Sequence, residues 1–268
     1  TGENNTASGA GTMQYNSTGS NNIAIGNYAL SETVAGSNAT VIGYNAMSNY
    51  NNSITPFTNF NVAIGYEALQ GGFAQVANNT GNWNTACGYQ ALTDNSDGDY
   101  NTALGVYSLS SNFSGHHNTA VGMYALGNNS AHYNTGIGYG AGSFNNNTTS
   151  STFLGYDADQ TDQNGYTNSM ALGRSSRFSA NNHVRIGNSS VFSIGGYASW
   201  TDLSDSRFKA DVQENVPGLA FITRLRPVTY HLKINELAAR LQEDRYRNEK
   251  GDFVIATPEA SVKVARDS

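Results

Sequence analysis

A glycine that returns eleven times at nearly constant spacing limits the folds open to this chain more than any other feature. Gly9, Gly26, Gly43, Gly65, Gly88, Gly105, Gly122, Gly138, Gly155, Gly173 and Gly187 are separated by 17, 17, 22, 23, 17, 17, 16, 17, 18 and 14 residues. A period of this length marks a repeat architecture, in which each unit packs on its neighbours. Around the glycine runs Asn-Thr-Ala-Φ-Gly-Tyr-x-Ala-Leu, with Φ aliphatic; residues 61–69 and 84–92 are the clearest copies, and 101–109 and 118–126 repeat it. The unit is too short for a helix pair, and Gly and Asn are poor helix-interior residues. It suffices for one turn of a coil made of two short strands and two bends, with Gly supplying backbone freedom at a bend. Eleven such coils at roughly 4.8 Å each make a rod roughly 50 Å long.

The columns of the repeat define two strand faces, because side chains alternate along a strand. Immediately before the Gly stand Ile25, Ile42, Ile64, Cys87, Leu104, Val121, Ile137, Leu154, Leu172 and Ile186. Two residues earlier stand Ile23, Thr40, Val62, Thr85, Thr102, Thr119, Thr135 and Thr152, which share that face. Between them the residue is mostly Ala: Ala24, Ala63, Ala86, Ala103 and Ala120. The expectation is that the aliphatic and Thr columns, Cys87 included, point into the core, and that the bare Ala face admits a neighbouring chain. An Ala column (Ala29, Ala46, Ala68, Ala91, Ala125) and a Leu/Met column (Leu30, Met47, Leu69, Leu92, Leu109, Leu126) follow the Gly. Asn61, Asn84, Asn101, Asn118 and Asn134 stack in register and predict an amide ladder of the kind seen between stacked strands. A coil this narrow buries little apolar surface alone, so the Ala face predicts a parallel homotrimer around a shared axis.

These residues resemble the head of trimeric autotransporter adhesins, whose coils carry an Asn-x-x-Ala-Ile-Gly pattern; the same repeat occurs in phage-type tail fibres. The resemblance covers about residues 5–190. It implies an all-β repeat fold, a trimeric left-handed parallel β-roll fibre. It also implies an extracellular place on a virion tail or bacterial cell surface. The partners it implies are two identical chains and a cell-surface glycan or protein receptor.

Two intervals are longer than the rest, and the extra residues fall near 48–60 and 70–83. Insertions in solenoids form loops, often on a binding face. Tyr50, Phe57, Phe73 and Trp83 lie there and are candidate binding residues for a glycan or receptor; packing against a neighbouring chain is the plainer account. One aromatic column precedes the Gly by five (Phe60, Trp83, Tyr100, His117, Tyr133), and another follows it (Tyr44, Tyr66, Tyr89, Tyr139, Tyr156). Stacking between coils accounts for both, with a sugar-binding stripe as the sharper alternative. His116 and His132 share a phase but lack the carboxylate or thiol set of a metal site. No metal or cofactor is expected. Asp157, Asp159 and Asp162 read as a solvated loop rather than as paired glycosidase carboxylates.

Composition changes sharply near residue 203. Residues 1–203 carry no Lys, three Arg and ten acidic residues, whereas 21 of the 65 residues 204–268 are charged. The sequence therefore divides into an array over 1–190, a connector over 191–203 and a small α+β domain over 204–268. The whole chain has a net charge of −6, which argues against nucleic-acid binding. One Cys rules out a disulfide framework. No apolar window is long enough to insert in a membrane. The start at Thr1, without Met, suggests a fragment or processed product.

In the second part, 219–222 with Leu225 read as a short helix, 226–232 as a strand begun by Pro227, 236–250 as a charged helix and 252–256 as a further strand. Ser204-Asp205-Ser206-Arg207-Phe208-Lys209, followed by Leu225-Arg226-Pro227-Val228-Thr229-Tyr230, resembles the endosialidase-type intramolecular chaperone family over about 200–233. That family sits at the C-terminus of trimeric fibres, helps the chains trimerise and then cuts itself off. The resemblance implies cleavage between Leu203 and Ser204, with Ser204 as nucleophile and Lys209 as general base. A serine hydroxyl needs such a base, and a lysine serves once burial lowers its pKa. The family's Gly-Phe-x-Ala-Gln-Glu-like continuation is lacking, so a partial domain is implied. The sequence thus reads as an attachment fibre whose only enzyme activity is one self-cleavage. The reading from another class is a monomeric β-solenoid that binds ice or polysaccharide.

Overall fold

A computed structural model of the chain describes residues 2–72, 79–144, 147–195, 246–247 and 253–254. The chain divides into two units, Thr1–Asn188 and Ser189–Ser268. The first is a parallel β-solenoid of ten turns. Each turn contributes one three-residue strand to an eleven-stranded sheet: β1 (Thr6–Ser8), β2 (Ile23–Ile25), β4 (Thr40–Ile42), β6 (Val62–Ile64), β7 (Thr85–Cys87), β8 (Thr102–Leu104), β9 (Thr119–Val121), β10 (Thr135–Ile137), β11 (Thr152–Leu154), β13 (Met170–Leu172) and β15 (Val184–Ile186). Neighbours pair in parallel and in unbroken register, as in Thr85↔Thr102 and Ala86↔Ala103. Among the described residues of the array a second strand per turn forms at two places: β3 (Gly36–Ser37) with β5 (Phe57–Thr58), and β12 (Asp159–Gln160) with β14 (Arg177–Phe178). In the second unit, β16 (Tyr246–Arg247) pairs antiparallel with β17 (Phe253–Val254). Tyr246–Arg247, expected within a charged helix over 236–250, are strand instead; the rest of that span lies outside the described residues. No other part of the expected α+β domain lies within the described residues.

The glycine column holds the turn shape. Gly105 has φ 138°, and a Cβ on it would lie 2.6 Å from the carbonyl oxygen of Gly122. Backbone from the next turn passes where a side chain would stand, so only glycine fits. Four residues later, Leu69, Leu92, Leu109 and Leu126 take φ between 47° and 52°. A bulky side chain rarely adopts this left-handed region. Here its burial holds it there, since all four are fully buried.

The expected orientation of the sheet is inverted. Ala24, Val41, Ala63, Ala86, Ala103, Ala120, Phe153 and Ala171 face the interior and are fully buried. The flanking Ile/Leu column points outward, as do the Thr residues between turns. The reason is volume. The left-handed Leu side chains already fill the coil, so the strand has room for little more than a methyl group. At Gly136 a Cβ would come within 2.8 Å of Leu126 Cγ. Phe153 fits inside only because Gly142 stands in the leucine column, where a Cβ would lie 2.8 Å from Phe153 Cδ2.

The amide ladder forms as expected. Oδ1 of Asn84 accepts the backbone N–H of Asn101 at 2.9 Å, Asn101 that of Asn118 at 3.0 Å, and Asn118 that of Asn134 at 2.9 Å. Their Nδ2 groups donate to Gly98, Gly115 and Ala131 carbonyls at 2.7–2.8 Å. These side chains are buried, and each satisfies backbone groups that lack a strand partner.

Candidate functional site

The outer face of the long sheet carries an aliphatic strip. Ile25, Ile42, Ile64, Leu104, Val121, Ile137, Leu154 and Ile186 are each 36–41% exposed and lie in register along the solenoid. Cys87 belongs to this column and is exposed, not a core residue. Thr85, Thr102, Thr119, Thr135 and Thr152 stand half-buried beside it. A contiguous apolar strip of this length on a protein surface is a candidate interaction site.

A second feature is the aromatic stack before the glycine. Phe60, Trp83, Tyr100, His117 and Tyr133 follow one another with ring centroids 5.7, 5.0, 4.8 and 5.2 Å apart and nearly parallel planes. The last four have φ of 54–61°, in a column that Asn4, Asn21, Asn38, Asn168 and Asn182 occupy elsewhere. Asn enters this region cheaply, whereas aromatic residues do not. The stack itself offsets that strain. Ring faces are consumed by neighbouring rings, so mainly the edges meet solvent, which disfavours a sugar-stacking stripe along its length. The tyrosines after the glycine stack in shorter runs, Tyr44–Tyr66–Tyr89 and Tyr139–Tyr156, at 5.1–5.3 Å.

The inserted turns hold the sequence-derived binding candidates, and the structure separates them. Trp83 is exposed within the stack, and Phe57 is half-buried in β5. Tyr50, expected at the surface, is fully buried. Its hydroxyl donates to the Gly81 carbonyl and accepts from Asn61 Nδ2 at 3.2 Å, so it fastens the insertion to the coil. Burial pushes its phenol far above the usual tyrosine range. Phe73 lies outside the described residues, as do Leu203, Ser204 and Lys209, so the candidate cleavage dyad has no geometry to describe.

Polar columns outside the strip serve the fold. His116 Nδ1 accepts the Asp99 N–H at 2.9 Å, and His132 Nδ1 accepts the His116 N–H at 3.0 Å. Both imidazoles are thereby fixed as backbone acceptors. Among the described residues no cluster of His, Cys, Asp or Glu is arranged to hold a metal. Asp159 is not in a solvated loop: it is fully buried in β12, at the register position held by Leu109 and Leu126. It accepts N–H groups of Phe144 and Gln160 at 3.0 and 2.8 Å. Desolvation pushes its carboxyl up to about 6, against the lowering effect of those bonds and of Arg177. Arg177 also pairs with Asp157 at 2.7 Å. The sequence missed three groups in the inserted turns, Asn49, Asn59 and Asn82, whose amide atoms are buried without partners among the described residues. The one available signal was the lengthened interval between Gly43 and Gly65. Comparison with protein-family models, with curated proteins and with solved structures gives no match.

Proposed function

We propose that the chain is a homotrimeric attachment fibre, of a phage-type tail or a bacterial surface, that presents its inserted loops to a cell-surface receptor or glycan. One observation carries this reading: an aliphatic column left exposed along ten turns of a parallel solenoid. Three left-handed rolls packed about a common axis cover that column, and the threefold number comes from the resemblance to trimeric adhesin heads. The contact surface is then the Thr and aliphatic face rather than the Ala face. The C-terminal region acts as the assembly chaperone, with Ser204 attacking after Leu203 and Lys209 as its base.

Light scattering on a size-exclusion column tests the assembly. The expected mass is three chains of 28.5 kDa, less any fragment that a denaturing gel shows to have been released. Leu104→Asp places a charge on the outer face and is expected to give a folded single chain, because outside an interface surface substitutions cost little. A wild-type monomer sinks the trimer. Cleavage is tested by the denatured masses of wild type and Ser204→Ala; an unchanged fragment pattern removes the dyad.

A second reading is a monomeric solenoid that binds ice or polysaccharide. The outward Thr column favours it. It requires a monomer with thermal hysteresis that is lost in Thr102→Tyr; a trimer without hysteresis excludes ice binding.

A further inference from the structure

The insertion over 48–60 does more than lengthen a turn. Its strand β5 pairs with β3 as Gly36↔Phe57 and Ser37↔Thr58, yet the next strand pairs as Thr40↔Val62. Between these pairings the chain carries Asn59, Phe60 and Asn61 opposite only Asn38 and Ala39. This extra residue is a bulge, a feature that re-aims side chains and often lies beside functional sites.

The bulge breaks a hydrogen-bond column. In other turns the side chain six residues before the glycine accepts a backbone N–H from the preceding turn. Ser37 accepts from Ser20 at 2.9 Å, Asp99 from Asn82 at 2.6 Å and His116 from Asp99 at 2.9 Å. In register, Asn82 Oδ1 stands ready for the N–H of Asn59. That N–H instead donates to the Ser37 carbonyl at 2.8 Å. Asn82 Oδ1 is left buried with no partner among the described residues, and so is Asn59 Nδ2. Buried amide atoms are seldom left unsatisfied, and each instance asks for an explanation.

Asn82 lines a groove of about 540 Å³ together with Ser37, Pro56, Phe57 and Thr58. That volume falls within the range of small-ligand sites, roughly 300–1,000 Å³. The lining offers one half-buried phenyl ring, a proline, two hydroxyls and an amide, and no charged side chain. The nearest acidic group of this column, Asp99, is already engaged by the Asn82 N–H. Residues 1–203 carry three Arg against ten acidic residues, a field that repels anions. A ligand suited to this lining is uncharged, rich in hydroxyls and apolar on one face.

We propose that this groove binds one neutral hexose unit of a glycan, with Phe57 facing the ring's C–H side and the Ser37 and Thr58 hydroxyls meeting sugar hydroxyls. The proposal rests on the attachment reading, of which it names the ligand class and the site. The full chain is titrated with maltotriose, globotriose, chitotriose and, as the anionic probe, sialyllactose, using saturation-transfer NMR and calorimetry. At least one neutral trisaccharide is expected to bind and sialyllactose is not. Thr58→Trp, which fills the groove from an exposed position, and Phe57→Ala, which removes the ring that faces the sugar, are each expected to weaken binding at least tenfold with unchanged circular dichroism. The proposal is overturned if no neutral trisaccharide binds at millimolar concentration, if sialyllactose binds as well as they do, or if both variants bind like wild type. Native mass separates the two ideas. A trimer that ignores the sugars removes the groove and keeps the fibre, and a monomer that binds them does the reverse.

Discussion

The turns from Asn84 to Ile137 and the inserted turns from Ser37 to Trp83 share a repeat but differ in how they treat buried polar groups. In the first set every ladder asparagine is matched above and below, and Asn112 Oδ1 alone among the described side-chain atoms is buried without a partner. In the second the register slips by one residue, amide atoms of Asn49, Asn59 and Asn82 are buried without partners among the described residues, and a groove opens. The regular turns show what stability requires of this sequence. The departure marks where something other than stability has been served, since real proteins break local rules mostly at functional sites.

Four measurements sharpen or break this contrast. The largest effect is expected at the glycines. Gly105→Ala forces a methyl group against the Gly122 carbonyl at a φ of 138° and is expected to cost more than about 4 kcal/mol, enough to prevent folding. Gly72→Ala in the inserted turn meets nothing within 4 Å and is expected to change stability by under about 0.5 kcal/mol. Equal losses in urea titrations would break the comparison. Next come the asparagines. Asn101→Ala strands the Asn118 N–H, while the Gly115 carbonyl keeps a bond from Asn112 Nδ2 at 2.9 Å, and is expected to cost about 3 kcal/mol, whereas Asn82→Ala removes an atom that had no partner and leaves the melting temperature unchanged or higher.

A smaller effect lies at the far end of the array, where a carboxylate replaces a core leucine. Asp159 holds its proton in the folded state up to about pH 6 and releases it near its ordinary value when unfolded. Its contribution to stability is therefore full below about pH 4 and falls as pH rises through about 6, by about 2–3 kcal/mol. The difference between wild type and Asp159→Asn, followed by urea titration from pH 4 to 7.5, is expected to change across that window and nowhere else; a flat difference refutes the assignment. The smallest effect is Tyr50→Phe. It removes one hydrogen bond to Gly81, whose carbonyl keeps that from Asn61 at 2.9 Å, and is expected to cost about 1 kcal/mol.

Much of this fold was legible in the sequence because the repeat writes its own register. The glycine period placed every strand of the long sheet, the asparagine column gave the ladder, and the aromatic columns gave the stacks. The choice of inner face was not legible. Alternation separates Ala103 from Thr102 and Leu104 but does not say which side is inside. Hydrophobicity then points the wrong way, because the interior is filled by Leu109 and its equivalents from the bend. The paired changes at Gly142 and Phe153 were the available clue: a large residue is admitted inside only where another has vanished. The binding candidates fared unevenly for a related reason. Aromatic residues in an insertion are ambiguous between anchor and contact, and Tyr50 is an anchor while Phe57 borders the groove. Asn82 carries no compositional signal, since it is one asparagine among many, and only the slipped register sets it apart.

The asparagine ladder also has a mechanical consequence. Each rung hands one amide contact to the next, so an axial pull on the solenoid loads these bonds in series. The side-chain column that includes Ser37, Asp99 and His116 runs beside the ladder as a second tether, and between Asn59 and Asn82 that tether is cut. Under tension the inserted turns are the compliant segment and yield first, while the stretches on either side move as stiff rods. In the attachment fibre proposed above, held at one end and caught at the groove, the give would come at the point of grip, and the inserted turns would be the first to register the strain.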